Sequence, residues 1–412
     1  MLIACPDCAA IQEMPPPPRR GYLDCCRCGH VFENATGRSV DAALACAMAT
    51  LVLLIPANFL QLMTVHVAGI DDSTHLASGL VTFWRQGWPA PTVILGLQGI
   101  VLPFLRFGLL VAALLAVRYG RQDGWVGPAF RWSETLDLWA MTDVLSIGFG
   151  VGYGRVASQI PVRIDAGGWC FVGAALLTML TRATLERRTV WRSIAAPPSH
   201  AGPDAVACIE CDLVLPPEQE GKPCPRCAAR VHRRKPFGIL RCTALVAASW
   251  VLIPVSYLLP MSEFWEAGTA HPHSIIDGIF LLFNHGFWPL GILITLASVG
   301  IPLSKLTGLT WFLVATRHGS AYALRRRTWL YRVIDEIGRW SNLDPFTVMI
   351  FAPMVQFGQL AHINVRGGSL AFLSMVILSM IAARAFDPRV MWDAAEAQET
   401  LERPGTAEVA PA

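Results

Sequence analysis

Two stretches of the sequence, one rich in cysteine and one apolar, follow each other closely and decide the fold. Residues 208–227 read CIECDLVLPPEQEGKPCPRC, and residues 241–262 read RCTALVAASWVLIPVSYLLPMS. The first stretch holds two Cys-x2-Cys pairs, a spacing typical of a zinc ribbon. The second is long and apolar enough to cross a bilayer as a helix, which needs about 20 residues. The sequence therefore predicts a small metal-binding module that leads into a membrane domain.

The same cysteine pattern stands at the start of the chain, so the sequence predicts two such modules. Four thiolates at this spacing can surround one tetrahedral ion, and closed sites of this type are normally structural. We expect one Zn²⁺ in each module, two per chain, with iron held for electron transfer as the alternative. The predicted ligands are Cys5, Cys8, Cys25 and Cys28 in the first module and Cys208, Cys211, Cys224 and Cys227 in the second.

Composition places the rest of the chain in a membrane. Of the 412 residues, 53% are hydrophobic and 15% are charged, whereas soluble domains carry about 25% charged residues. This excludes a disordered chain and a nucleic-acid binder with a basic surface. Long apolar runs predict membrane helices. We predict eight of them, over residues 40–63, 89–117, 135–158, 167–183, 241–262, 287–316, 338–361 and 369–386.

The basic residues predict how the chain is oriented. The termini and alternate connections, which lie on one side of the membrane, hold 26 of the 33 Lys and Arg residues. The connections on the other side hold Arg85, Arg163 and Arg366. Because basic loops stay in the cytoplasm, we expect both termini and both ribbons there. No apolar stretch opens the chain, so we expect the first membrane helix to act as an uncleaved insertion signal.

The chain contains one unit twice. Cys25 and Cys28 recur 199 residues later as Cys224 and Cys227, and other pairs repeat at nearly the same interval. The fold class predicted is a mainly α polytopic membrane protein with two parallel repeats, each a ribbon followed by four helices. The predicted divisions are a first ribbon over 1–39, a four-helix unit over 40–191, a linker with the second ribbon over 192–240, a second four-helix unit over 241–393 and a disordered tail over 394–412.

Ionisable groups inside membrane helices are costly and usually functional, and four of them stand out here. Arg106 and Lys305 follow a proline in the second and sixth helices, and Asp143 and Asp344 lie in the third and seventh. Similar depth predicts that basic and acidic groups pair. Such pairs could carry a proton- or substrate-coupled relay or lock the helices together, and a side chain such as Arg106 could instead extend to the membrane interface. The sequence leaves these interpretations open. Ser298 lies two turns before Lys305 on the same helical face.

Several segments resemble a known family. They are Tyr331-x-Val333-x4-Gly338-Arg339-Trp340-Ser341-x2-Asp344, Pro302-x2-Lys305, Phe386-Asp387-Pro388-Arg389 and Ile55-Pro56-Ala57-Asn58. Together with the two ribbons they are similar to the paraquat-inducible protein A family, which includes the LetA proteins. The resemblance implies an intramembrane polar network, and by position its members here are Asp143, Ser298, Lys305, Asp344 and Ser379.

The resemblance also implies a function. Members are inner-membrane proteins that work with a periplasmic MCE-domain protein, which forms a tunnel toward the outer membrane, and the pair is implicated in moving phospholipid. We expect this chain to load lipid into such a tunnel or to receive lipid from it, with the proton gradient as a candidate energy source. Alternatives from other classes are a stand-alone proton-coupled transporter of a small amphiphile, a membrane redox protein and a scaffold. No catalytic motif is present, so we expect no enzymatic activity.

Overall fold

The fold is mostly helical, with small sheets at both ends of the helices. The computed structural model describes residues 2–13, 21–34, 39–67, 70–157, 161–197, 199, 202, 204–266, 269–284, 286–354 and 361–402. The α-helices in chain order are α1 Val40–Phe59, α2 Ser78–Arg85, α3 Pro89–Gly96, α4 Leu102–Arg118, α5 Val126–Asp137, α6 Thr142–Ala157, α7 Ala166–Thr184, α8 Arg187–Ser193, α9 Gly238–Leu258, α10 Ile275–Asn284, α11 Trp288–Thr295, α12 Ile301–Arg317, α13 Leu324–Ile337, α14 Leu343–Met354, α15 Gly367–Ala385 and α16 Arg389–Glu402.

The strands fall into five small antiparallel sheets within the described residues. Three two-stranded sheets pair β1 with β2, β3 with β4 and β8 with β9; two three-stranded sheets have the orders β6-β5-β7 and β11-β10-β12. The strands are β1 Leu2–Ala4, β2 Ile11–Glu13, β3 Tyr22–Asp24, β4 Val31–Asn34, β5 Met63–Val67, β6 Ile70–Thr74, β7 Val162–Ile164, β8 Val206–Ala207, β9 Val214–Leu215, β10 Ser262–Glu266, β11 Thr269–His273 and β12 Ala361–Val365.

Among the described residues, six helical stretches are long and apolar enough to span a membrane, with mean hydropathy from 1.2 to 2.5. Large apolar side chains on their outer faces are exposed, among them Val52, Val251 and Leu258, as expected for contact with lipid. The chain is a multi-pass membrane protein. The spans are Val40–Phe59, Pro89–Arg118, Ala166–Thr184, Gly238–Leu258, Trp288–Arg317 and Gly367–Ala385.

The third and seventh predicted helices are shorter than predicted. α6 has 16 residues and the described part of α14 has 12, and a helix rises only about 1.5 Å per residue. The prediction missed that the amphipathic helix α5 extends to Asp137, inside the segment predicted from residue 135. It also missed that a 3-10 turn, Gly338–Asn342, follows the amphipathic helix α13 and occupies the start of the other segment. Residues 158–160 and 355–360, where those segments end, lie outside the described residues. Among the described residues, six of the eight predicted segments are confirmed as full spans.

Each of the two 30-residue spans is distorted just before its proline. π-helical turns occupy Leu97–Val101 and Leu296–Gly300, ahead of Pro103 and Pro302. Proline has no N–H, so the carbonyl four residues earlier is left without its helical donor. Before Pro302 that carbonyl belongs to Ser298, and the Tyr257 hydroxyl donates to it at 2.8 Å. The distortion predicted from Pro103 and Pro302 is thus present as a π-helical turn.

The two ribbons are exchanged between the repeats. Arg27 of the first ribbon lies 4.6 Å from the ring centroid of Trp392, which belongs to the second repeat. Arg226, the matching residue of the second ribbon, lies 5.6 Å from the ring of Trp191 in the first repeat. The first ribbon shares a buried cluster with Trp392, and the second shares one with Trp191 and the helices of the first repeat. Each ribbon therefore holds the repeat that it does not lead in sequence.

At the helix ends opposite the ribbons, the two repeats pack against each other on one side. A Cβ on Gly79 of α2 would lie 1.8 Å from the carbonyl oxygen of Met349 in α14, so glycine is required there. The Gln86 side chain accepts from the backbone N–H of Val365 and donates to the carbonyl of Ile363, both at 2.8 Å. These contacts fix the first repeat to β12 of the second.

The other side is open within the part of the chain that the structure describes. Gly278 of α10 stands 199 residues after Gly79, and no described atom lies within 4 Å of a Cβ placed on it. Trp88 donates to the Val365 carbonyl at 3.0 Å, whereas its counterpart Trp288 is 61% exposed. The repeats therefore meet asymmetrically.

The exchange of ribbons predicts which ribbon each tryptophan holds. Trp392→Ala should increase amide hydrogen exchange in the first ribbon, over residues 2–34, and leave the second ribbon protected. Trp191→Ala should do the reverse, because each substitution removes the ring on which one ribbon arginine stacks. Hydrogen exchange with mass spectrometry on the detergent-purified protein measures both. Increased exchange in the ribbon next to each repeat in sequence would contradict the exchanged arrangement.

Candidate functional site

The four ionisable residues singled out in the sequence are all buried among the helices. Their exposures are 3% for Arg106, 1% for Asp143, 2% for Lys305 and 8% for Asp344. Arg106 and Lys305 lie one turn after the π-helical turns, and the two aspartates begin α6 and α14. The two repeats nevertheless differ in how these charges are paired.

In the first repeat the charges form a closed network. Asp137, the last residue of α5, accepts from Arg106 and from the Arg182 Nε, the latter at 2.8 Å. Arg182, at the end of α7, also donates to Asp143. The expected proximity of Arg106 and Asp143 is therefore realised through two residues that the sequence analysis did not single out. Both stand at helix ends, where charge is ordinarily explained by contact with water.

One arginine from the second repeat joins this network. Arg339 Nη1 lies 3.9 Å from Asp137 Oδ2, and its Nε lies 4.0 Å from Asp143 Oδ2. Arg339 also pairs with Glu336, one turn earlier on its own segment. Opposite charges in a poorly solvated site stabilise each other only when they lie this close. The network thus joins the two repeats near the ribbon side of the membrane.

The second repeat lacks the matching counter-charges. Trp139 and Asp143 recur 201 residues later, and the same interval brings Asp137 to Gly338 and Arg182 to Ala383. A Cβ on Gly338 would lie 2.7 Å from the Lys305 Nζ, so the two positions face each other as Asp137 and Arg106 do. Within the described residues, no ion pair joins Lys305 to Asp344 or to any other carboxylate.

The two serines of the expected network differ in what their hydroxyls do. Ser379 Oγ donates to the Val376 carbonyl of its own helix at 2.7 Å, as a packing residue does. Its counterpart Thr178 bonds in the same way to Ala174. The Ser298 hydroxyl is buried within the π-helical turn and has no hydrogen-bond partner among the described residues. Ser298 is therefore the serine with unused bonding capacity beside Lys305.

A further polar pair at the centre was not found from the sequence. Asn342 of the second repeat donates through Nδ2 to Gln98 Oε1 of the first at 3.5 Å, and both side chains are buried. Gln98 lies in the first π-helical turn. Amides within apolar runs are a signal for such a contact, because buried polar groups in membranes need partners.

The four-cysteine clusters have the geometry of metal sites. In each cluster the four Sγ atoms lie within 4.8 Å of one another. Paired sulfurs are 3.5 to 3.6 Å apart, and tetrahedral coordination at a Zn–S distance of about 2.3 Å places sulfurs about 3.8 Å apart. The described residues thus fit one four-coordinate ion in each ribbon, as the cysteine spacing predicts.

The backbone shapes these clusters in the same way four times. The residue after the second cysteine of every pair adopts a left-handed conformation, with φ between 57° and 68°. It lets the chain turn back, so that the amide of this residue donates to the carbonyl of the first cysteine. These residues are Ala9, Gly29, Asp212 and Ala228.

Thiol packing shifts the cysteine pKa values of the clusters in both directions, and an arginine lies beside one sulfur whose pKa is lowered. Hydrogen bonds from Cys5 and Cys8 lower the pKa of Cys28, and those from Cys208 and Cys211 lower the pKa of Cys224. Arg332 of the second repeat lies with Nη2 3.4 Å from Cys28 Sγ and with Nε 2.6 Å from Asp7. A cation beside the sulfur stabilises the charged ligand that a metal requires.

Comparison with known proteins identifies the family. The family model for paraquat-inducible protein A matches residues 40–195 and again residues 239–396, one match for each repeat. The chain belongs to the paraquat-inducible protein A family. The two matches confirm the duplication and the resemblance noted in the sequence.

Curated relatives cover almost the whole chain. The chain is 26% identical over 399 residues to lipophilic envelope-spanning tunnel protein A of Escherichia coli, covering 95% of this chain and 91% of that protein. It is also 26% identical to the intermembrane transport protein PqiA of the same organism, with 95% of both chains covered. A probable intermembrane transport protein of Haemophilus influenzae is 21% identical over 408 residues, with 95% of both chains covered. No solved structure matches the chain.

The closed network predicts a large loss of stability when its central carboxylate is removed. Asp137→Ala should destabilise the protein by about 3 kcal/mol, because Arg106 then keeps a buried charge with no close counter-charge. Asp41→Ala, which breaks an exposed pair with Arg118, should cost less than about 1 kcal/mol. Thermal unfolding in detergent compares the two variants. Equal losses would show that the buried network does not hold the repeats together.

Proposed function

We propose that this protein is the inner-membrane subunit of an intermembrane lipid-transport system. It would pass phospholipid between the membrane and a periplasmic MCE-domain tunnel protein. The proposal is supported by the names of its relatives, which describe intermembrane transport and an envelope-spanning tunnel. In this arrangement the ribbons and both termini lie in the cytoplasm, on the side that carries most Lys and Arg.

The proposed mechanism rests on a difference between the repeats. The buried basic residue Arg106 of the first repeat is ion-paired, and Lys305 of the second is not, among the described residues. In the first repeat Asp137 and Arg182 neutralise Arg106 and Asp143, which makes that network structural. In the second repeat the equivalent positions are Gly338 and Ala383, so Lys305 is a buried amine that forms no ion pair among the described residues. A buried amine of this kind exchanges its proton more readily than a locked ion pair. We infer that Lys305 and Asp344 couple proton movement to transport.

The remaining members of the site have supporting roles in this mechanism. The unused Ser298 hydroxyl can bond to water or to a neighbouring group when Lys305 changes its charge. The open side between α10 and the first repeat gives a lipid a lateral route that the closed side denies. The two three-stranded sheets lie opposite the ribbons and offer edges on which a periplasmic partner can dock.

Zinc best fits the sulfur clusters. Four buried thiolates in a closed tetrahedral set are typical of structural Zn²⁺, and both clusters lie on the side that we assign to the reducing cytoplasm. Because each ribbon holds the opposite repeat, the ions would fix the mutual position of the repeats. We propose no enzymatic activity for the chain.

Neutralising the second-repeat charges should abolish transport without preventing folding. Lys305→Ala and Asp344→Asn should each stop proton-dependent lipid transfer from proteoliposomes to the purified MCE-domain partner. Thr243→Ala, which removes an exposed hydroxyl bonded to its own helix, should transfer at the wild-type rate. Unchanged transfer by both charge variants, in folded protein, would rule out the relay. Transfer of a small amphiphile without the partner would favour the stand-alone transporter.

Metal analysis tests the zinc proposal. The purified protein should contain about two zinc ions per chain, and Cys28→Ser should reduce this to about one. Cys26→Ser is the matched control, since Cys26 is exposed and bonds to Gln12 instead of joining the cluster. Elemental analysis by mass spectrometry measures the content. Iron in place of zinc, with visible absorbance, would favour the redox alternative.

A further inference from the structure

A groove lies beside Lys305, on the side of α12 that faces α13. Its volume is about 480 Å³, within the range of about 300–1,000 Å³ found for ligand pockets. Its walls are mostly apolar, and Lys305 supplies the one formal charge. The lining residues are Ile301, Ser304, Lys305, Thr307, Gly308, Trp311, Leu330, Val333, Ile334 and Ile337.

Two glycines stand at the groove or next to Lys305, and the first repeat has larger residues in their places. Gly308 lies where the first repeat has Leu109, and Gly338 lies where it has Asp137. A Cβ on Gly308 would come within 2.3 Å of Ile334 Cδ1. The groove is therefore a feature of the second repeat and does not follow from the shared fold.

The groove opens toward lipid. Trp311, at its ribbon-side end, is 43% exposed and Ile337 is 41% exposed, and α12 belongs to a span that crosses the membrane. A ligand that enters the groove through this exposed face of the span would therefore come from the bilayer. Apolar walls at this depth favour an acyl chain.

Charge decides which lipid fits. Lys305 is 2% exposed and forms no ion pair among the described residues. The carboxylate that acts on it electrostatically is that of Asp335 on α13. A buried ammonium in this environment is stabilised by a close anion. In the first repeat the Asp137 carboxylate supplies that anion to Arg106, whereas here the matching residue is Gly338, which has no side chain to supply one.

We propose that the groove binds an anionic phospholipid from the surrounding bilayer, with its phosphate paired to Lys305 and an acyl chain along the walls. The site deepens the proposed function, and its role in transport rests on that function. From the groove, the phosphate then supplies Lys305 with the counter-charge that the Asp137 carboxylate supplies to Arg106 in the first repeat. A zwitterionic lipid binds less well, because its own ammonium group competes for the same phosphate.

The first test supplies Lys305 with an internal carboxylate. The probe is phosphatidylglycerol, in nanodiscs containing equal amounts of phosphatidylglycerol and phosphatidylethanolamine, and native mass spectrometry counts the lipids that remain on the protein. Wild type and Gly338→Asn should retain phosphatidylglycerol in excess over phosphatidylethanolamine. Gly338→Asp should lose that excess. The two variants are nearly equal in size, so a difference between them reports charge and not volume.

The second test fills the groove and leaves Lys305 and Gly338 unchanged. Thr307→Trp should displace the retained phosphatidylglycerol. Gly108→Trp is the matched control at the equivalent position of the first repeat, where no described atom lies within 4 Å of the added side chain's Cβ. It should retain the wild-type amount. This pair also covers the case in which both Gly338 variants fail to fold.

Three results would overturn the inference: equal phosphatidylglycerol excess in Gly338→Asp and Gly338→Asn, retention in Thr307→Trp, or binding of added oleate without any excess of phosphatidylglycerol. Lipid transfer by the wild type is measured in parallel. Bound phosphatidylglycerol without transfer supports the site and contradicts the proposed function. Transfer without bound phosphatidylglycerol contradicts the site alone.

Discussion

A charge within a membrane protein needs a counter-charge at contact distance, and this requirement organises the centre of the molecule. Asp137 accepts from Arg106 and Arg182, and Arg182 reaches on to Asp143. Arg339 extends the same network into the second repeat. Four helices, α4 to α7, and the 3-10 turn Gly338–Asn342 are thereby held in one arrangement. Because the first repeat satisfies its own charges, it can serve as a fixed frame for the second.

The exchange of ribbons adds a second connection on the same side of the membrane. Each ribbon arginine stacks on the tryptophan of the opposite repeat, and Arg332 contacts both Asp7 and the Cys28 sulfur of the first ribbon. A metal ion that fixes a ribbon therefore also fixes how the repeats face each other. Movement between the repeats is consequently more restricted at the ribbon end than at the opposite end, where one side is already open.

Much of this architecture could be predicted from the sequence, because its signals are local. Cysteine spacing predicted both clusters, and apolar runs predicted the six long spans. The helices α5 and α13 were missed because amphipathic stretches beside a membrane segment look like ordinary polar connections. Arg106 was expected to pair with Asp143, but Asp137 at the end of α5 pairs with it directly. Pairing between helices depends on their packing and rotation, which the pattern along a single helix does not contain.

Comparing the repeats position by position provides what neither repeat shows alone. The second repeat has Gly338, Ala383 and Gly308 where the first has Asp137, Arg182 and Leu109. Each change replaces a large or charged side chain with a small one. A single loss of charge in the membrane would be a defect in packing. Three changes around one lysine, with a groove beside it, form a site instead. The duplicated fold thus allows one copy to maintain the structure while the other keeps a buried charge available for chemistry.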